Sequence, residues 1–241
     1  MLIEQDPKSE EVIRPILRGR DIRKYRFEFD NKYLIALFPS KQYEIDNFPS
    51  IKQFLSGFYP KLRQTGELLT PIEIKEIVNH ANKFGINVKE ADLITSRKRT
   101  TNKWFETQDS IGYWDDFSKQ KIVWGNLNLR ASYAIAPEGY FVNAPCPMIV
   151  PANKYLLAIL NSKLADYYIR NLGVTRNGGY FEYKPMFIEK LPVPMVSDEI
   201  QKEFEQLVDK LKEGNSEMKI NKLVYSLYNL NEMEINFIES Q

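Results

Sequence analysis

From Arg14 to Arg26 the chain carries Arg14, Arg18, Arg20, Arg23, Lys24 and Arg26 against a single carboxylate, Asp21. A guanidinium fork matches phosphate oxygens and the edge of guanine, whereas a surface that only has to be soluble does as well with lysine. The excess of arginine therefore points to an anionic partner, with an ordinary solvated face as the competing reading. A second cluster, Arg97-Lys98-Arg99-Thr100-Thr101-Asn102-Lys103-Trp104, lacks apolar periodicity and offers several donors to phosphates or base edges; it reads as a loop. In a third stretch, Leu172 to Tyr180, three glycines let backbone approach a ligand, and Arg176-Asn177 could read a base edge. Tyr25, Trp104 and Tyr180 stand beside these segments, where a base could stack; most of the other aromatics belong to cores.

The motifs of catalysis are missing. There is no Gly-x-x-x-x-Gly-Lys phosphate loop, no Gly-x-Gly-x-x-Gly and no Gly-x-Ser-x-Gly elbow. Nor is there the Asn/Asp-Pro-Pro-Tyr tetrad with which amino-methylating DNA methyltransferases hold an extruded base. One histidine, His80, and one cysteine, Cys146, cannot make a Cys/His zinc site, and no disulfide can form within the chain. As a nucleophile and base, that pair works only if the fold joins them. The loose D…E-x-K spacing of magnesium nucleases occurs twice, as Asp166 with Glu182-Tyr183-Lys184 and as Asp46 with Glu73-Ile74-Lys75, and two independent matches show how unspecific it is. A small magnesium-dependent nuclease stays open as an alternative, and so does a non-catalytic protein-interaction module.

The elements that must position these groups belong to a 241-residue chain, 43% hydrophobic and 27% charged, large enough for one or two real cores. Lys and Arg total 33 against 32 Asp and Glu, which excludes a globally basic protein, so any nucleic-acid face must be local. Residues 1–197 hold 28 basic and 22 acidic side chains and residues 198–241 hold 5 and 10, giving a body near +6 and a tail near −5. The change follows Leu191-Pro-Val-Pro194, and a boundary is expected at about residue 196, with a body over 1–196 and a helical appendage over 197–241. In the appendage, Ile200, Phe204, Leu207 and Leu211 follow Ser197 as N-cap, with the helix ending at Gly214-Asn215. Ile220, Leu223, Val224 and Leu227 form a second stripe, followed by an Asn231…Glu234 capping box, so two short helices are expected to close the chain.

In the body, strands are expected at Tyr33–Phe38, Lys121–Trp124, Ser132–Ala136, Tyr140–Val142 and Met148–Val150, with a hairpin over 131–143 turning at Pro137-Glu-Gly139. Helices are expected behind Pro49, from Thr70-Pro-Ile-Glu73 to Gly85, and, longest, over Asn153–Leu172. The fold class is thus mixed α/β, of the α+β kind. The longest uncharged run in the apolar middle, Gly139 to Asn153, is too short and too rich in proline to span a bilayer, and the acidic start resembles no secretory signal, so a cytoplasmic protein is expected.

Several stretches, taken in order, resemble one family, the TaqI-like C-terminal specificity domain of type II restriction-modification enzymes and related adenine methyltransferases. They are Ile16-Leu-Arg-Gly-Arg-Asp-Ile-Arg-Lys-Tyr25, Phe48-Pro-Ser-Ile51, Lys121-Ile-Val-Trp124, Tyr155-Leu-Leu-Ala-Ile-Leu-Asn-Ser162, Leu191-Pro-Val-Pro194 and Tyr225-Ser-Leu-Tyr-Asn-Leu230. The resemblance implies a target-recognition-domain-like sheet with packed helices that grips a short stretch of double-stranded DNA. A separate methyltransferase or endonuclease domain, in cis or in trans, would do the chemistry. It also implies no cofactor on this chain, with S-adenosylmethionine, and magnesium where the system cuts, on the catalytic partner. Members of the family recognise different sequences, so family-defining residues cannot themselves read bases. Arg18, Arg20, Arg23 and Lys24 then serve as phosphate clamps or scaffold ion pairs, Asp21 being the internal partner. Base readers are sought where the chain departs from the pattern: Arg97, Arg99, Asn102, Lys103, Asn126, Asn128, Arg130, Arg176 and Asn177, since Arg suits guanine and Asn suits adenine.

Overall fold

The computed structural model describes residues 2–211 and 216–241; the helix end expected at Gly214-Asn215 lies outside them. The fold is mixed α/β, as expected. Among the described residues the helices are α1 (Leu2–Gln5), α2 (Pro49–Ser56), α3 (Tyr59–Leu62), α4 (Pro71–Lys83), α5 (Lys154–Leu160), α6 (Lys163–Leu172), α7 (Pro185–Ile188), α8 (Asp198–Asp209), α9 (Ser216–Leu227) and α10 (Glu232–Glu239). The strands are short: β1 (Ile13–Leu17), β2 (Ile22–Arg23), β3 (Arg26–Phe27), β4 (Tyr33–Ile35), β5 (Lys121–Trp124), β6 (Leu127–Asn128), β7 (Tyr133–Ala136), β8 (Phe141–Val142), β9 (Met148–Ile149), β10 (Thr175–Arg176) and β11 (Tyr180–Glu182). They fall into two compact units, residues 2–14 with 33–114, and residues 15–32 with the described residues from 115 onward.

The boundary expected at residue 196 does not separate compact units. Phe204, Ile220 and Val224 of the tail lie in one core with Trp124, Tyr133, Leu157 and Ile159, so the appendage is built into the second unit. The Leu191–Pro194 segment is fastened at both ends, Tyr228 donating to Pro192 O at 2.5 Å and Tyr155 to Pro194 O at 2.8 Å. Among the described residues three helices, not two, close the chain, because the Asn231 box opens α10: Asn231 Oδ1 accepts Glu234 N–H at 3.0 Å and Glu234 Oε2 accepts Asn231 N–H at 2.8 Å. Ser197 stands at the N-cap of α8 without a side-chain capping bond.

In the first unit, Val12, Leu37, Ile45, Phe48, Ile51, Leu55 and Phe105 form one core, and Leu69, Ile77 and Leu93 a smaller one. Helix α4 begins at the expected Thr70–Glu73 box. His80 is spent on packing: its Nε2 lies 2.8 Å from Phe54 O, and its ring meets Phe54, Phe58 and Phe84.

In the second unit, β5 is the middle strand of the antiparallel sheet β7-β5-β9 and is buried along its whole length. Alternation sends Ile122 and Trp124 into the helical core and Val123 into a second core with Leu17, Ile22, Ala134 and Ala136. The hairpin expected over 131–143 does not form, because its arms find other partners. β7 pairs with β5, while β8 pairs in parallel with β1, Ile16 opposite Phe141. What holds β8 there is non-local: Gly139 N–H donates to Phe117 O at 2.8 Å, and the Phe117 and Phe141 rings stack at 3.9 Å.

The single helix expected over Asn153–Leu172 is two helices. The break falls at Asn161-Ser162, where the Asn161 amide binds the Tyr133 backbone as another strand would, Oδ1 accepting its N–H and Nδ2 donating to its C=O, both at 3.0 Å. Ser162 Oγ caps α6 by accepting Ala165 N–H at 3.1 Å. This Leu-Asn-Ser turn docks α5 and α6 on the edge of β7.

Candidate nucleic-acid interface

The site begins at a close approach of two backbones in the second unit. A Cβ on Gly19 would stand 3.3 Å from Gly125 Cα, and the reverse holds for Gly125, so a side chain at either position would press on backbone that must shift to accept it. That contact brings the turn after β1 against the turn after β5. Arg18 holds the first turn: its Nε and backbone N–H donate to Asp21 Oδ2 at 2.9 and 2.8 Å, and its Nη2 reaches Asp21 Oδ1 at 2.7 Å and Asp30 at 2.6 Å. The guanidinium holds the Asp21 carboxyl below the usual carboxylate range. Arg18 is scaffold, and Arg20, two residues on, is exposed and makes no ion pair among the described residues.

Around these turns opens a cleft of about 840 Å³, lined by Gly19, Arg20, Ile22, Arg23, the run Gly125–Arg130, Ser132, Asn143, Pro145, Cys146, Arg176, Tyr180, Glu182 and Lys184. Its floor is the sheet β10-β11-β6, with Arg176 opposite Tyr180 and Phe181 opposite Asn128. The β10–β11 turn is tight because Gly178 and Gly179 both take positive φ, 79° and 78°, a conformation that other residues adopt at a cost. Five cations line the cleft, Arg20, Arg23, Arg130, Arg176 and Lys184, against one carboxylate. That carboxylate, Glu182, is buried and divided between two of them: Arg176 Nε donates to Oε1 at 2.7 Å and Lys184 lies 2.9 Å from Oε2. The two cations push its pKa below the ordinary value. Neutralising one acid while several cations stay open to solvent makes a cleft suited to a polyanion.

Of the residues singled out in the sequence, Arg20, Arg23, Asn126, Asn128, Arg130 and Arg176 meet in this cleft. Arg23 donates to Ile22 O at 3.2 Å and lies 3.5 Å from Glu28. Asn128 Nδ2 donates to Gly125 O at 2.8 Å, and Asn126 Oδ1 is buried without a partner. Arg130 divides its guanidinium between Asp166, at 3.5 Å, and Gln241 O, at 2.9 Å, and stays more than half exposed. Asn177 is exposed in the β10–β11 turn beside the cleft. Lys24 is engaged elsewhere, with Glu217 of α9.

The other four candidates lie in the first unit. Arg97 and Asn102 are internal braces: Arg97 Nη1 donates to Glu106 O at 2.7 Å, and Asn102 Nδ2 donates to Thr107 O and Gln108 O, both at 3.0 Å. Lys103 pairs with Glu44 at 2.7 Å, and Arg99 reaches Thr65 O at 3.5 Å. Of the aromatics considered for stacking, Trp104 packs on Tyr59 and Phe105, and Tyr25 packs on the helical core. Tyr180, at the cleft, keeps an open face.

The two carboxylate patterns do not form one centre. Tyr183 donates to Asp166 Oδ1 at 2.5 Å, while Glu182, its neighbour in extended chain and so facing the opposite way, is held by Arg176 and Lys184. Asp46 pairs with Lys52, and Glu73 belongs to the cap of α4 with Arg63. Cys146 lines the cleft, but burial pushes its thiol up to about 11, away from a nucleophilic thiolate. The sequence places Lys184 only in the D…E-x-K nuclease pattern and does not single out the outward Leu127 and Leu129, all three of which line the cleft. Lys184 was legible as the i+2 neighbour of Glu182, since extended chain puts both on one face.

The sequence profile described as the TaqI-like C-terminal specificity domain matches residues 14–193. Among solved structures, the chain is similar in fold to the type IIL restriction-modification enzyme MmeI in complex with DNA, at 12% identity and a TM-score of 0.56 over 99% of this chain. The chain spans 32% of the length of that enzyme. No curated protein matches it.

Proposed function

Because the chain belongs to the family of TaqI-like C-terminal specificity domains, we propose that it is a sequence-specific duplex-DNA recognition module of a restriction-modification adenine methyltransferase system, positioning a separate catalytic domain. The observation that carries this reading is the cleft of the second unit, with five cations and one already paired carboxylate. Arg20 and Arg23, on the family-defining stretch, hold phosphates and set the register on the duplex. Asn126, Asn128, Arg130 and Arg176, on the opposing wall, carry the donors and acceptors that distinguish adenine and guanine in the major groove. Arg18 acts through the Asp21 pair by fixing the turn that aims Arg20.

S-adenosylmethionine, and magnesium where the system cuts, belong to the catalytic partner in this proposal. Affinity comes mainly from phosphate contacts, so it falls steeply with salt, by about 0.9 in log K per log salt for each phosphate neutralised. Fluorescence anisotropy with duplex DNA across a salt series tests this. Arg20→Ala should lower affinity for all sequences alike and flatten the slope by about one unit. A salt-independent association, or a slope unchanged by Arg20→Ala, would refute the assignment.

A further inference from the structure

The wall from Asn126 to Arg130 alternates polar and apolar residues, yet its leucines do not turn inward. Leu127 is 51% exposed and Leu129 52%, and both line the cleft among its cations. Leu129 lies beside the β10–β11 turn, its Cδ2 4.0 Å from where a Cβ on Gly179 would stand. Leu127 is in β6, opposite Glu182 of β11. Two leucines presented to water from an ordered strand and its following turn are not explained by the cores, in which neither takes part. Single exposed apolar residues are ordinary, but here a pair is set into the one strongly cationic surface described above.

Resting on the recognition role proposed above, we propose that Leu127 and Leu129 are specificity residues that read thymine through its C5-methyl group in the major groove. The charge of the cleft selects DNA as the occupant. The run then offers the groove two kinds of contact: Arg130 suits O6/N7 of guanine, and a leucine suits the only apolar group that the groove displays.

The test uses the full chain and a duplex enriched by it from a randomised library. Each thymine of the enriched motif is replaced in turn by deoxyuridine, which removes the methyl and keeps base pairing. At one or two positions the wild type should lose about fourfold in affinity, the partition of one buried methyl-sized group. The loss should vanish at a matching position in Leu127→Ala or Leu129→Ala, both exposed sites where folding is preserved and is checked by circular dichroism. An enriched motif without any A·T pair, or one whose thymines all tolerate deoxyuridine, would overturn the inference and leave DNA recognition standing. If no motif is enriched, the recognition role falls and this inference with it. Leucine variants that leave DNA binding and methyl sensitivity untouched but weaken association with a catalytic partner would assign the pair to protein docking instead.

Discussion

Replacing Asn161 by alanine should unlatch the helical layer from the sheet that carries the cleft. Its amide is almost fully buried and makes two 3.0 Å hydrogen bonds to the backbone of Tyr133. The Tyr133 carbonyl keeps a second donor, Tyr25 N–H at 2.8 Å, so the main loss falls on the Tyr133 N–H, a buried donor deprived of its acceptor. Such a group costs about 1–3 kcal/mol, and the small void left by the amide adds roughly 1, for a total of about 2–4 kcal/mol. Asn161→Asp should cost more at neutral pH, because it buries a charge and turns a carboxylate oxygen toward the Tyr133 carbonyl; part of that cost should return as acid protonates it. Urea unfolding followed by Trp124 fluorescence, in a Trp104→Phe/Trp114→Phe background that leaves Trp124 as the only tryptophan, reports on the second unit alone. A cost below about 0.5 kcal/mol for Asn161→Ala would refute the latch, since such a value belongs to surface sites.

Lys121 is fully buried and donates to Phe117 O at 3.1 Å and Pro137 O at 3.0 Å, and burial pulls its pKa down to about 8. The unfolded chain, near 10.4, therefore binds more protons between those values, so stability relative to Lys121→Met should rise by about 2–3 kcal/mol from pH 7 to pH 10; a pH-independent difference in urea melts would contradict this. Gly125→Ala should destabilise by about 1–3 kcal/mol, because its Cβ would press on Gly19 Cα and backbone cannot move aside as a side chain can; a neutral melting temperature would remove the close approach from the argument. Glu182→Gln should free Arg176 and Lys184, raising affinity for arbitrary duplex DNA at low salt while narrowing the preference for the enriched motif; equal loss on all sequences would show instead that the carboxylate only holds the sheet.

The features legible in the sequence are those decided within a few residues. The Thr70 and Asn231 boxes declare themselves because their donors and acceptors are three residues apart, and β5 does so by its composition. The division of Asn153–Leu172 into two helices was not legible, since the apolar stripe runs through and the partner of Asn161 is Tyr133, on a strand 28 residues earlier. The 131–143 hairpin failed likewise: the turn is real, but β8 is claimed by β1 from more than a hundred residues away. Among the candidate site residues, residue type could not separate Arg20 from Arg18, or Arg130 from Arg97. Arg18 and Arg97 are occupied by Asp21, Asp30 and the Glu106 carbonyl, while Arg20 and Arg130, the latter despite its contacts to Asp166 and Gln241 O, face the cleft and stay exposed.

Sequence-specific recognition is tested most directly by selection from a randomised duplex library with the full chain near physiological salt, repeated with Arg130→Ala. The expected result is enrichment of one short motif by the wild type and relaxed preference at a single base pair in the variant, at a cost of about 1–3 kcal/mol there. Retention of DNA without sequence bias, or uniform weakening by Arg130→Ala across all sequences, would contradict base reading by the cleft.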